Sequence, residues 1–170
     1  MLRPAILYKN ELTQTMVDKC WFNDHYKYFN QGWNSIEKIE EDSEKQHQFV
    51  SVNDQGQICG IIFYYIDRQS RSVCGLNAAS FVNANDLRFA KDLLQAIDDI
   101  FCKFNFRKLN FGVVVGNPVE RTYDSFIRRY NGRIAGYYKE DTMLYDGTYA
   151  DIKVYELFRE DYIKNRRKKC

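Results

Sequence analysis

The sequence is poor in the residues that punctuate or staple a chain. Its 170 residues include two prolines, Pro4 and Pro118, with no repeat and no low-complexity linker, which argues against a second domain. The five cysteines, Cys20, Cys59, Cys74, Cys102 and Cys170, are odd in number and form no C-x-x-C pair, so neither a disulfide framework nor a zinc site is signalled. Four of them lie in apolar stretches and read as small core residues. The two histidines, His25 and His47, stand far apart, with no Asp, Ser or Cys pattern to make a triad and no third ligand to make a metal site. No segment supplies the ~18 apolar residues of a membrane span, and the start MLRPAIL lacks the apolar core of a signal peptide. A cytoplasmic protein without a metal is expected.

A large excess of charge is missing as well. The formal net charge is +2, and Lys164, Arg166, Arg167, Lys168 and Lys169 contribute five of the positive charges; without them 20 basic residues face 23 acidic ones. The body is therefore mildly acidic, and no broad nucleic-acid surface is expected. The run 164–170 reads as a short, solvated basic tail on a single domain spanning 1–163. That domain has the means to fold, since 45% of the residues are hydrophobic and 16% aromatic.

Hydrophobic spacing predicts the elements in order. Pro4 and Ile6–Tyr8 suggest a short strand, Glu11–Phe29 carries Leu12, Met16, Val17, Cys20 and Trp21 at helical spacing, and a second helix is read over Ser35–Lys45. Phe49–Val52, the turn 53–56 and Ile58–Ile66 predict a hairpin, and Val73–Val82 a strand whose small residues Gly75, Ala78, Ala79 and Ser80 mark a close approach to the backbone. A helix over Leu87–Phe104 follows, with Asp86 as its cap. The apolar run KLNFGVVVG predicts a strand covered on both faces. Asn117-Pro118-Val119-Glu120 then offers a cap acceptor, a proline for the first turn and a glutamate to reach back, and Asn131-Gly132 ends the helix. Ile134–Tyr145, a turn at Asp146-Gly147 and Ile152–Phe158 close the chain as a hairpin.

In GNPVERTYDSF, NGRIAG and LYDGTYADIKVYELFREDY the chain resembles the GNAT superfamily of acyl-CoA-dependent N-acyltransferases. The likeness covers the last third well and the last two thirds as an order of elements. It implies a mixed α/β (α+β) single domain, with a twisted mixed sheet of about six to seven strands and helices on both faces. It also implies transfer of an acetyl group from acetyl-CoA to a primary amine of a small molecule or peptide by direct attack, with a homodimer compatible with the aromatic-rich surface.

The resemblance carries site residues with it. The loop and helix start around Asn83, Arg88, Phe89, Ala90 and Lys91 would hold the pyrophosphate of coenzyme A, Asn117 would contact the cofactor, and a backbone N–H near Phe81 and Val82 would meet the oxyanion. Tyr123 would touch the cofactor and protonate the departing thiolate, although it lies one position short of the family's commonest spacing from Asn117. The pyrophosphate pattern departs from the family too: Asn85 replaces Gln or Arg, and Arg88 stands where glycine is usual. The alternative is a non-catalytic binding module that keeps the fold and has lost the cofactor loop. The aromatic run Trp21, Phe22, Tyr26, Tyr28, Phe29 and Trp33 reads either as an acceptor pocket or as packing of the first helices on the sheet.

Overall fold

In the computed structural model the described residues are 1–29, 38–83 and 86–166. Seven strands form one mixed sheet: β1 (Leu2–Pro4), β2 (Gln46–Val52), β3 (Ile58–Asp67), β4 (Ser72–Ser80), β5 (Lys108–Val114), β6 (Arg133–Met143) and β7 (Tyr149–Phe158). Their spatial order is β1-β2-β3-β4-β5-β7-β6, and every neighbouring pair is antiparallel except β4 and β5. The parallel pair requires a crossover, supplied by α2 (Leu87–Asp98) and the π-helical turn Asp99–Lys103 that continues it. The other helices are α1 (Lys9–Cys20), α3 (Glu120–Arg129) and α4 (Arg159–Asn165). Among the described residues, no helix is long and apolar enough to cross a membrane.

Strand alternation divides the core between the two faces of the sheet. Ile61 and Phe63 of β3 join Val50, Val52 and Ala79 under α1, which buries Leu12, Met16 and Cys20. Ile62 and Tyr64, one step along, face the opposite way, onto Phe89 and Ala96 of α2 and the larger cluster of Phe101, Leu109, Phe111, Ile127, Tyr155 and Leu157. Gly60 is required by this arrangement, since a Cβ there would lie 2.3 Å from the Phe89 ring. The long run of β3 is buried on both faces, as its sequence predicts.

Several local expectations need correction. The first strand occupies Leu2–Pro4, and Ala5–Tyr8 is a 3-10 turn leading into α1. That helix stops at Cys20 rather than running on to Phe29. Residues 38–45 are not helical; the rest of the helix read over Ser35–Lys45 lies outside the described residues. Strand β5 is buried on the side of Leu109, Phe111 and Val113; on the other side Val114 is buried and Lys108 and Asn110 are half-buried, but Gly112 is exposed. The basic tail does not begin at 164: Lys164 and Asn165 belong to α4, and the Arg166 guanidinium, 9% exposed, is ion-paired to Asp98 at 2.7 Å.

Candidate active site

A gap in the middle of the sheet organises the site. Strands β4 and β5 pair only at Ser72↔Lys108 and Val73↔Leu109. Directly beyond these positions β4 carries a bulge, in which Gly75 and Leu76 stand opposite Tyr64 and Gly75 adopts φ +59. A bulge bends its strand and sharpens the local twist, so β4 turns away from β5 and the two diverge toward their C-terminal ends. The facing backbone groups of the diverging halves are left without a strand partner, which is where a polar ligand of extended shape could pair with them. The small residues of β4 read from the sequence fall at this opening.

The residues around the opening were placed by three elements. At the end of β4, the Phe81 N–H is spent on the Cys59 carbonyl of β3 at 2.8 Å. Val82 follows in a bend beyond the end of β4, and its half-buried side chain packs beside Ile62 and Phe89. The tip of β4 is fastened from the opposite face: the Tyr26 hydroxyl donates to the Ser80 carbonyl at 2.8 Å and the Lys19 ammonium to the Phe81 carbonyl at 3.0 Å. Tyr26 also stacks edge-on against Phe81, and Phe29 packs beside it, while Trp21 and Phe22 point out to solvent. Much of the aromatic run is therefore packing; Trp33 lies outside the described residues.

Helix α2 begins at the mouth of the gap. Asp86 is its cap, accepting the Arg88 N–H at 3.0 Å, and the same carboxylate holds the Arg88 guanidinium through Nε at 3.0 Å and Nη2 at 2.6 Å. Hydrogen bonding from Arg88 lowers the Asp86 pKa to about 2, so the carboxylate stays charged at neutral pH. This i, i+2 clamp was not foreseen. The helix geometry leaves the N–H groups of Leu87 and Phe89 without an intrahelical partner. The Phe89 side chain is buried, whereas Asn83, Ala90 and Lys91 are exposed, and Lys91 has no carboxylate partner among the described residues.

Across the gap, α3 packs on β5. The Asn117 Oδ1 accepts the Val119 N–H at 3.0 Å and leaves its Nδ2 without a partner among the described residues. Glu120 reaches back as predicted, but to the Gly116 N–H at 3.2 Å rather than to that of Asn117. Tyr123 lies one turn further on, its ring edge-on to Phe111 at 5.3 Å and to Tyr155 at 6.3 Å. Phe111 belongs to the part of β5 beyond its pairing with β4, so Tyr123 covers that part of β5 together with Tyr155 of β7. Burial raises its pKa, and its hydroxyl has no hydrogen-bond partner among the described residues.

A buried ionic network that the sequence reading missed seats α3. Lys153 of β7, whose side chain is 6% exposed, lies 3.0 Å from Glu120 and 2.7 Å from Asp124, and the Tyr155 hydroxyl donates to Asp124 at 2.8 Å. Burial pulls the Lys153 pKa down, but hydrogen bonds to Asp124 and Glu120 outweigh it and the net shift is upward. Among the described residues no group of His, Cys, Asp and Glu is arranged to hold a metal ion.

This architecture has known counterparts. A chimera of the Vibrio cholerae spermidine N-acetyltransferase SpeG with hSSAT superposes with a TM-score of 0.71, at 18% identity over 98% of both chains. The chain has the GNAT fold. SpeG from Vibrio cholerae in a complex with manganese ions matches at TM-score 0.69 and 18% identity, over 96% of this chain and 95% of that one. A probable acetyltransferase matches at TM-score 0.57 and 15% identity, over 69% and 64%. No family model matches the sequence, and no curated protein matches it. Within the GNAT fold, α2 follows the end of β4 and α3 follows the end of β5, so both helices start from the ends of the two strands that lose their pairing. Of the residues read from the sequence, Val82 follows β4, Arg88 is clamped at the start of α2, Asn117 precedes α3, and Tyr123 packs from α3 onto Phe111 of β5. Phe81 and Phe89 contribute backbone and packing.

Proposed function

We propose that the protein is an N-acyltransferase that uses acetyl-CoA as donor and a primary amine as acceptor. One observation supports the reading: the two central strands lose their pairing after a two-residue parallel contact, and a half-buried tyrosine, Tyr123, whose hydroxyl has no partner among the described residues, packs on the unpaired part of β5. Bound there, acetyl-CoA supplies an activated thioester. The residues of the chain then have distinct tasks. Backbone groups of β4 and β5 line the pantetheine path, the Val82 N–H faces the developing oxyanion, and Tyr123 donates a proton toward the departing sulfur. Burial keeps the Tyr123 hydroxyl protonated, which suits a donor. Asn117, through its free Nδ2, is the polar contact on the α3 side. Spermidine is the first acceptor to try, because the solved structures of like fold include spermidine N-acetyltransferases.

Calorimetric titration with acetyl-CoA and with free CoA tests the reading. Micromolar binding of both, followed by acetylation of an amine in a screen that begins with spermidine, is the expected result. A folded protein that binds neither overturns it. The Asp86–Arg88 clamp specifically favours a second reading, a GNAT-fold binding module without catalysis, because a carboxylate already occupies the mouth of α2 where a pyrophosphate would sit. Absence of binding in the same titration selects that reading.

A further inference from the structure

The end of the sheet away from the start of α2 gathers three arginines. Parallel pairing sets the beginnings of β4 and β5 side by side, and antiparallel pairing brings the end of β7 to the same place, with Phe158 opposite Lys108. Two backbone bonds fix the junction, from the Arg107 N–H to the Arg71 carbonyl at 2.8 Å and from the Arg159 N–H to the Arg107 carbonyl at 2.9 Å. The topology therefore forces Arg71, Arg107 and Arg159 together. With Asn105, Phe158 and Glu160 they line a cavity of about 400 Å³, within the usual size range of small-molecule sites.

Their charges are unmatched. Arg88, Arg133 and Arg166 each hold a carboxylate, at 2.6, 2.6 and 2.7 Å. None of the three cavity arginines does so among the described residues. Instead each donates to a backbone carbonyl: Arg71 Nη2 to Asn105 at 2.9 Å, Arg107 Nε to Ser70 at 3.3 Å and Arg159 Nε to Phe101 at 2.8 Å. A guanidinium carries five N–H donors, so one such bond orients the fork and leaves about four donors for a ligand. Arg107 also lies over the Phe158 ring, 5.6 Å from its centroid, which fixes its plane further. The one acid in the lining, Glu160, makes no ion pair among the described residues. Three neighbouring guanidiniums outnumber the one carboxylate of the lining and repel one another, and a multivalent anion relieves that repulsion.

We propose that this cavity binds a small polyphosphate, a pyrophosphate or tripolyphosphate group, through the forks of Arg71, Arg107 and Arg159. Two or more linked phosphoryl groups match three forks in both charge and number of acceptors, which a single carboxylate does not. The site is separate from the proposed acyl-donor opening. The nine residues of β4, at ~3.3 Å each, put about 30 Å between the two ends. The proposal therefore does not depend on the acyltransferase reading.

Calorimetry of the full chain with sodium pyrophosphate and tripolyphosphate at low ionic strength tests it. The expected result is one-to-one binding below millimolar concentration. It should weaken about tenfold or more in Arg71→Gln and Arg107→Gln, the loss of one charge-assisted pair. It should be unchanged in Lys139→Gln, which removes an exposed cation from β6. Amide shifts in the unaltered protein locate the ligand without any variant: movement at Arg71, Arg107 and Arg159 supports the site. Movement at Leu87–Phe89 instead assigns the anion to the acyl-donor end and overturns the proposal. So does absence of heat at millimolar ligand, or an equal loss in Lys139→Gln.

Discussion

At the scale of single residues, the site turns on Asp86 and Arg88. The carboxylate accepts from both the backbone and the side chain of Arg88, so the arginine that replaces glycine is held by its own helix cap. Asp86→Asn keeps an acceptor for the Arg88 N–H, removes the negative charge from the helix mouth and frees the guanidinium. Acetyl-CoA affinity measured by calorimetry should rise by about threefold or more; a fall would mean that the clamped form is the one that binds. Tyr123→Phe keeps the ring contacts with Phe111 and Tyr155 and deletes only the hydroxyl. Turnover should drop about ten- to a hundredfold with acetyl-CoA affinity nearly intact, as for a proton donor. Equal turnover in the two proteins would remove Tyr123 from the chemistry. The sequence made both positions legible as types, a cap, a misplaced arginine and a tyrosine on an apolar helix face. It could not show that Asp86 closes on Arg88, because that depends on two side-chain conformations rather than on spacing.

At the scale of elements, α3 was the most legible and its anchor the least. NPVE at its start and NG at its end carry local capping chemistry that survives folding, so its limits are readable within a few residues. Lys153 was invisible for the opposite reason. It alternates with Ile152 and Val154 in β7, where a lysine reads as the solvated side, and its acids sit about one supersecondary unit earlier in the chain. Removing Lys153 strands two carboxylates that are 22% and 30% exposed, so the loss falls short of that for a fully buried pair, at about 2–3 kcal/mol. Lys153→Met should therefore lower unfolding free energy by that order in urea melts. It should also lower activity more than Arg133→Met, which breaks an ion pair whose arginine is largely exposed. A loss under about 1 kcal/mol would show that apolar packing alone seats α3. The helix read into Ser35–Lys45 fails within the described residues for a tertiary reason. Gln48, 2% exposed, accepts the Glu40 N–H at 2.8 Å and donates to the Lys38 carbonyl at 2.9 Å, and Ile39 between them is buried. One side chain satisfies the backbone on both sides of a buried apolar residue, which overrides the helix propensity of a glutamate-rich run.

At the scale of the whole molecule, the two faces of the sheet are legible because strand alternation writes them into the sequence, whereas the opening between β4 and β5 depends on where a bulge falls. What joins the distant parts is packing that no local pattern records, and His47 is its most testable member. Its ring, on β2, lies against Phe49, Tyr64 of β3 and Phe104 beyond α2, and its Nδ1 is 3.1 Å from the Tyr64 hydroxyl. Burial lowers its pKa below the ordinary histidine value, with Arg68 and Lys103 pulling the same way and Asp42 opposing them. The unfolded chain therefore takes up this proton at a higher pH than the folded one. The stabilisation from the neutral ring is complete above about pH 6.5 and is lost as the pH falls from there toward the lower folded value. Urea midpoints should drop between about pH 7 and pH 5.5, before most carboxylates titrate, and His47→Gln, which keeps a polar group facing Tyr64 but cannot be protonated, should flatten that drop. An identical slope in the variant would place the acid sensitivity elsewhere in the molecule. A flattened slope would show that protonation of His47, held in the contact among β2, β3 and the chain beyond α2, is what couples the stability of the fold to acid.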